Sequence, residues 1–300
     1  MIAFGCSVRV PQIYQRHAKV GIDRVAEADS EILVDAAAGS IARGYNLLLD
    51  CVAERDDLEA LVILHADAEI LDPDFCAKLR SAFAAPDVAV VGAIGTAGAR
   101  DMAWWDGAPR GSAAPYHYGE LGGGILHWST RAAGSEFGEV DSLYGVMLAL
   151  SPWAVRNLRF DETIGMVHGY DFDICRQAHA AGRRAITADL RIAHHHSLDL
   201  VKESAIWVDS HMRAADKFET ADGPEPSEEE WKRRARHAEA SAAAARLLHA
   251  SRMLQAEATA QHHARALDEI VGSRSWRITA PLRRANKLAQ VARERLAERR

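Results

Sequence analysis

The chain has 300 residues, 48% of them hydrophobic, enough for one large α/β domain of about two hundred residues with a real core, plus an extension. Its net charge of −6 is unevenly placed: residues 227–300 hold 16 Lys and Arg against 9 Asp and Glu, or +7, which leaves 20 against 33, or −13, for residues 1–226. The acidic part argues against nucleic-acid binding there, and no apolar run approaches the roughly 20 residues that span a bilayer.

In chain order, Ile2 to Cys6 is a short apolar run that predicts a strand, and Pro11 to Ala28 has helical spacing. Glu31 to Asp35 reads as a second strand. Ser40 suits the N-cap of a helix over Ile41 to Ala53, followed by a strand at Leu61 to Leu64, a helix beginning at Pro73 and a strand at Val88 to Gly92. Strand, helix, strand, helix implies a parallel sheet, and in such sheets ligands collect at the carboxyl ends of the strands. Cys6-Ser7, Asp35 and His65-Ala66-Asp67 fall at those ends.

Gly95 to Gly124 is rich in Gly, Ala and Pro and carries Trp104, Trp105, Tyr116, His117 and Tyr118, which suits a long active-site or acceptor loop. Strand character returns over Val140 to Leu150, helices are expected over Pro152 to Leu158 and Tyr170 to Ala181, and Arg184 to Ala193 reads as a last strand running into HHHS. The polar segment TADGPEPS, Thr220 to Ser227, is the expected domain boundary. Beyond it, Glu228 to Val271 is Ala-rich with both charge signs and a thin apolar stripe, the pattern of a long helix or coiled coil.

The N-terminal MIAFGCSVRVP has neither the basic stretch nor the cleavage site of a leader, so the expected location is the cytoplasm. Cys6, Cys51, Cys76 and Cys175 lack a CxxC pair or a zinc spacing and read as reduced, packed thiols.

Two clusters can carry chemistry. LVILHADAEILDP, Leu61 to Pro73, sets His65, Asp67 and Glu69 at alternate positions beyond a buried strand. A divalent cation such as Mn²⁺ or Mg²⁺ takes one or two protein carboxylates and fills its remaining positions with water and substrate phosphates. An acid that only caps the following turn has the same local pattern. The second cluster, FDETIGMVHGYDFDICRQAHAAGRRAITADLRIAHHHS, places Asp171 and Asp173 at a helix start, where the dipole favours anions, and ends on three histidines.

The joint order of a YN helix, HADAEILDPDF, VDSLYGVMLALSP, FDE, GYDFDICRQAHAAG and HHHS resembles family 2 glycosyltransferases of the GT-A fold, in particular their streptomycin-biosynthesis-protein-like branch. The likeness covers about residues 1 to 200. It implies an α/β, Rossmann-like mixed sheet flanked by helices, with a C-terminal α-helical or coiled-coil tail added. The implied domains are a GT-A unit over 1–219, a linker over 220–227 and a basic helical extension over 228–300.

The resemblance also implies roles. His65-Ala66-Asp67 stands where the family has its DxD motif, with His in place of the first acid, so Asp67 takes the metal, with Glu69 a further ligand. A histidine after the last strand completes such sites, and among His194, His195 and His196 the favoured ones are His195 and His196. Tyr170-Asp171 stands at the family's Glu-Asp pair, making Asp171 the general base, while Asp173 and Arg176 hold the helix start. Cys6, Ser7, Asp35, Asn46, His65 and Asp67 match donor-binding positions; Gly145, Tyr170, Trp104 and Trp105 fall on the acceptor side.

The expected activity is metal-dependent, inverting sugar transfer from a nucleotide-sugar to a hydroxyl of a glycan or lipid-linked acceptor in cell-surface polysaccharide synthesis. Two rivals are weighed: a sugar-phosphate nucleotidyltransferase, which lacks its glycine-rich pyrophosphate loop here, and a non-catalytic nucleotide-binding or scaffolding protein with a degenerate transferase domain. The missing GxGxxG after the first strand argues against a dinucleotide oxidoreductase. SRSWRITAPLRR, Ser273 to Arg284, resembles a motif at the ends of bacterial polysaccharide-assembly proteins and suits either peripheral contact with the inner membrane face or self-association.

Overall fold

The structure is a computed structural model that describes residues 1–99, 101–102, 108–111, 116–118, 125–127, 137–195, 204–218 and 227–281. Trp104, Trp105 and His196 lie outside the described residues. The first unit, Met1–Asp222, is built on strands β1 (Ile2–Ser7), β2 (Glu31–Asp35), β3 (Ala60–Leu64), β4 (Ala68–Ile70), β5 (Val88–Gly92) and β6 (Ile94–Ala97). After these come β7 (Ala108–Gly111), β8 (Tyr116–Tyr118), β9 (Ile125–His127), β10 (Ser142–Leu143), β11 (Met147–Leu150), β12 (Arg184–Thr187) and β13 (Ile192–His194). Its helices are α1 (Pro11–Arg16), α2 (Ala18–Val25), α3 (Ile41–Val52), α4 (Phe75–Ala82), α5 (Pro152–Asn157), α6 (Tyr170–Ala180) and α7 (Ser204–Phe218).

Six strands form the main sheet in the order β12-β5-β11-β3-β1-β2. β1 runs parallel to β2 and β3, and β12 runs parallel to β5, while β11 is antiparallel to both β3 and β5. The sheet is therefore mixed, with its single reversed strand in the interior. Strands β3, β5 and β11 are buried along their whole length, which explains their unbroken apolar sequences: side chains alternate between two faces and both faces are covered. Val62 and Leu64 pack with Phe4, Ile22 and Phe75 beneath α2 and α4. Leu61 and Ile63 pack with Leu49, Val155 and Ile174 beneath α3, α5 and α6.

Several boundaries differ from the sequence reading, each for a local reason. The helix expected over Pro11 to Ala28 breaks at His17, whose φ of −122° and ψ of −76° are not helical, giving α1 and α2. The strand expected over Val140 to Leu150 is two strands: β10 pairs with β6 in a separate sheet, the chain turns through Tyr144, Gly145 and Val146, and β11 joins the main sheet. Arg184 to Ala193 likewise divides into β12, in the main sheet, and β13, which pairs antiparallel with β4 and aligns His194 with Ala68. Hydrophobic periodicity marks both halves of each segment as strand and carries no sign of the change of partner.

The second unit, Gly223–Arg300, contains α8 (Glu228–Gly272) and α9 (Arg274–Ile278). Ser227 caps α8 by accepting the Glu230 amide, and Glu228, Glu229 and Glu230 place negative charge against the positive end of the helix dipole. Among the described residues, no helix is long and apolar enough to cross a membrane.

Candidate active site

The carboxyl ends of β1, β2 and β3 lie at one edge of the main sheet. At the end of β3, His65, Asp67 and, from β13, His194 offer ligand atoms that lie within 4.8 Å of one another. Nε2 of His194 is 3.3 Å from Asp67 Oδ1, and Nδ1 of His65 is 3.9 Å from the same oxygen. His194 is buried, while His65 and Asp67 keep 24% and 20% of their side chains exposed, so the cluster is reachable from solvent through those two.

Each imidazole has a phenol behind it. His194 Nδ1 is 2.9 Å from the Tyr144 hydroxyl, and His65 Nε2 is 2.6 Å from the Tyr170 hydroxyl. Such contacts on the nitrogen away from a metal fix the tautomer and ring orientation of a ligand histidine. The donor set of two imidazoles and a carboxylate fits a divalent cation, and the imidazoles favour a first-row transition ion over Mg²⁺, which prefers oxygen throughout.

Gly145 connects this cluster to Asp171. Its N–H donates to Asp171 Oδ2 at 2.9 Å, and its carbonyl accepts from the Tyr170 hydroxyl at 3.0 Å. A Cβ at this position would collide with the Tyr170 ring and hydroxyl. Glycine is thus required here by the phenol. Burial raises the Asp171 carboxyl above its ordinary value against the opposing Phe172 and Gly145 amides, a shift toward the range in which a carboxylate takes a proton readily.

Asp173, two residues on, is fully buried and has a structural part. It accepts from Lys217 Nζ of α7 at 2.7 Å, from Gln177 at 2.7 Å and from the Asp161 amide at 3.3 Å. Arg176 stacks over Phe172 and Phe218, 6.0 and 5.6 Å from the ring centroids.

The other sequence-derived positions separate. Ser7 and Asp35 meet at the ends of β1 and β2, where Ser7 Oγ donates to Asp35 Oδ2 at 3.4 Å and the Ala37 and Ala38 amides donate to the same carboxylate. Cys6 faces the core instead; its thiol is buried beside Phe4 and Ile22, and burial pushes it up to about 12, so it presents no side chain to a donor. Asn46 is committed elsewhere: its amide donates to the Phe160 carbonyl and accepts the Phe160 N–H, both at 2.9 Å. Tyr170 is likewise buried, with its hydroxyl divided between His65 and Gly145, so it supports the site from beneath rather than lining an acceptor surface.

Glu69 and His195 come together, but on a different cluster. Asp67 precedes β4 and Glu69 lies within it; Glu69 pairs with Arg24 at 2.8 Å and with His195 at 2.9 Å, and it is His194 that stands beside Asp67. His194 ends β13 and His195 follows it, and because successive residues of an extended chain point to opposite sides only one of the two side chains reaches Asp67. Sequence reasoning missed Tyr144 and His17; neither belongs to a recognisable spacing, and both are identified only through their partners.

No family model matches the chain. Among solved structures, it is similar to A197 from STIV, with a TM-score of 0.40 and 16% identity over 64% of this chain and 84% of that one. It is similar also to the mannosyltransferase PcManGT from Pyrobaculum calidifontis in complex with GDP-Man and Mn²⁺, at TM-score 0.45 and 14% identity over 75% of this chain and 65% of that one. GalNAc-T7 with UDP, GalNAc and Mn²⁺ gives 0.46 and 10%, over 72% of this chain and 47% of that chain. In sequence, the chain is similar to the streptomycin biosynthesis protein StrF of Streptomyces griseus, 27% identical over 202 residues that make up 66% of this chain and 67% of StrF.

Proposed function

We propose that the chain is a metal-dependent glycosyltransferase that moves a sugar from a nucleotide-sugar to an acceptor hydroxyl with inversion. The observation that carries this reading is the Gly145 peptide, which joins a cluster able to hold a cation on one side to the half-buried Asp171 carboxylate on the other. Sugar transfer needs both: positive charge where the nucleoside diphosphate leaves, and a base where the acceptor hydroxyl attacks.

Asp67, His65 and His194 would hold the cation. When bound, it supplies Lewis-acid stabilisation of the diphosphate's developing charge. Asp171 accepts the acceptor hydroxyl proton as that oxygen bonds to the anomeric carbon. The bond from that carbon to the phosphate oxygen breaks, and its electron pair departs with the nucleoside diphosphate. The Gly145 and Phe172 amides hold the Asp171 carboxylate in place through the proton transfer. Ser7 and Asp35, at the mouths of β1 and β2, supply polar groups for the nucleoside end of the donor.

The acceptor class we propose is a glycan or glycolipid hydroxyl of cell-surface polysaccharide synthesis, in the cytoplasm or at the inner face of the membrane. Residues 228–300 would localise or assemble the enzyme without taking part in bond making, a division supported by the chain's falling into two compact units at Asp222 and by the basic character of the tail.

The test is a panel of nucleotide-sugars, each with and without Mn²⁺, scored first for protection against thermal unfolding and then for turnover against oligosaccharide and lipid-linked acceptors. Metal-dependent protection followed by release of nucleoside diphosphate is the expected result. Protection without turnover against any acceptor would favour a nucleotide-binding scaffold.

A further inference from the structure

A second cluster of metal-ligand type stands apart from Asp67 and is assigned no part in the transfer reaction. His17, Glu69 and His195 offer one ligand atom each, all within 4.8 Å of one another. The His17 and His195 rings are stacked, with centroids 3.9 Å apart and planes 19° from parallel. His195 Nε2 is 2.9 Å from Glu69 Oε2, while the other Glu69 oxygen accepts from Arg24 at 2.8 Å.

Three separate elements are shaped to bring these groups together. His17 occupies the non-helical break between α1 and α2, so the break itself positions the ring. The following helix is pressed directly onto β4: a Cβ at Gly21 would collide with the Ile70 amide, so only glycine permits this approach. His195 follows the end of β13, and its backbone N–H donates to the Asp67 carbonyl at 2.8 Å, which fixes it against the start of β4. The Arg24–Glu69–His195 pairing accounts for the carboxylate, but it does not call for His17, a third group of metal-ligand type, at the same place.

We propose that His17, Glu69 and His195 form a second binding site for a first-row transition-metal ion such as Zn²⁺ or Co²⁺, distinct from the site at Asp67. Two imidazole nitrogens and one carboxylate oxygen favour such ions over Mg²⁺ or Ca²⁺. Ligand bonds of about 2.0–2.2 Å put tetrahedral donors roughly 3.4 Å apart, so closing on an ion needs the donors to draw together by at most about 1.4 Å and one imidazole to turn out of the stack, so that lone pairs lying in the two ring planes converge. Three protein ligands leave a fourth position for water. Bound there, the ion clips the α1–α2 break to β13 and holds the backbone next to His194, so its role is to brace the strand that supplies the first site.

The experiment titrates the full chain with Co²⁺ alone, reading stoichiometry by calorimetry and the histidine imidazole resonances by NMR. The wild-type chain is expected to bind two equivalents, D67N to lose one of them, and H17Q to lose the other. In the D67N chain, Co²⁺ should still shift the His17 and His195 resonances; this arm leaves the proposed ligands intact and does not depend on H17Q folding. Unshifted His17 and His195 resonances in D67N at saturating Co²⁺, or unchanged stoichiometry in folded H17Q, would overturn the second site. Neither outcome bears on nucleotide binding at Asp67, so the two readings fail separately.

Discussion

The Tyr170 hydroxyl stands 2.6 Å from Nε2 of His65, and it has one proton to give. With that proton directed to the Gly145 carbonyl at 3.0 Å, the contact with His65 is made by the imidazole N–H: Nε2 carries the ring proton and Nδ1 keeps its lone pair on the Asp67 side, the tautomer a metal ligand needs.

Tyr170→Phe removes this constraint while keeping the ring that packs edge-on against Tyr45 at 5.5 Å. The fold should survive, and Mn²⁺ affinity should fall by roughly 10- to 100-fold, the usual effect of losing such a supporting contact. Calorimetric titration of Mn²⁺ into both proteins measures it. Equal affinities would mean that the phenol merely fills space.

Asp67→Ala should abolish metal-dependent binding of a nucleoside diphosphate, since the pyrophosphate is held largely through the cation. Titration calorimetry with Mn²⁺ and a nucleotide panel decides it. Metal-independent contacts at Ser7 and Asp35 should leave weak residual binding that no longer responds to Mn²⁺.

Asp171→Asn should bind donor almost normally and lower turnover by about 10²–10⁴-fold, the range of a general base. Because burial raises the Asp171 carboxyl, the proton needed to inactivate it binds at a higher pH than for an exposed aspartate. Single-turnover rates should thus fall with decreasing pH through a midpoint above 3.8, the ordinary value, and that limb should vanish in the variant. An unchanged rate in Asp171→Asn would move the base to another carboxylate such as Glu162, since Asp173 is fully buried and held by Lys217.

Much of this arrangement is legible along the chain because it is local. The buried strand Leu61–Leu64 running into His65 and Asp67 announces both a sheet and its mouth, and the Tyr170–Ala180 helix announces where Asp171 sits. What is not legible depends on pairing. His194 and His195 have the same sequence environment, and only the antiparallel register of β13 on β4, with His194 opposite Ala68, decides which one reaches Asp67. Asn46 looks like a ligand until the Phe160 backbone, 114 residues away, is seen to use both ends of its amide. Nothing beside Gly145 in the chain announces the Tyr170 ring, 25 residues on, that stands where its Cβ would be.

Lys217 provides a test on stability. It bridges Asp161 at 2.6 Å and the fully buried Asp173 at 2.7 Å, tying α7 to the start of α6. Burial pushes both carboxyls up; in Asp161 the Lys217 ammonium and the Thr163 hydroxyl and amide overcome it and hold the group down to about 2, whereas in Asp173 burial prevails. Lys217→Met should cost about 3 kcal/mol at neutral pH, the low end for a broken buried pair because 32% of the lysine side chain is exposed. For Asp161 the folded value lies below the ordinary 3.8, so its contribution is present above that pH and lost as pH falls toward 2. The deficit of the variant should therefore shrink over that acidic window, as read by urea unfolding at stepped pH.

The tail is tested by removing it. The polar segment Thr220 to Ser227 precedes α8, and the structure divides at Asp222, so truncation there should leave the fold of the first unit and its Mn²⁺ and nucleotide binding intact. The removed part carries exposed Leu267, Ile270, Val271, Trp276 and Ile278 among a net +6 of charge, 16 Lys and Arg against 10 Asp and Glu, a combination suited to an anionic surface or to a second copy. On anionic vesicles each nearby Lys or Arg should contribute about 1 kcal/mol, and that attraction should fade with salt as screening shortens its reach. Co-sedimentation with such vesicles and the oligomeric mass in solution should each be compared between full and truncated chains, with at least one changing on truncation. Loss of nucleotide binding would instead make the tail part of the catalytic unit, because an element that only localises an enzyme leaves the donor site as it was.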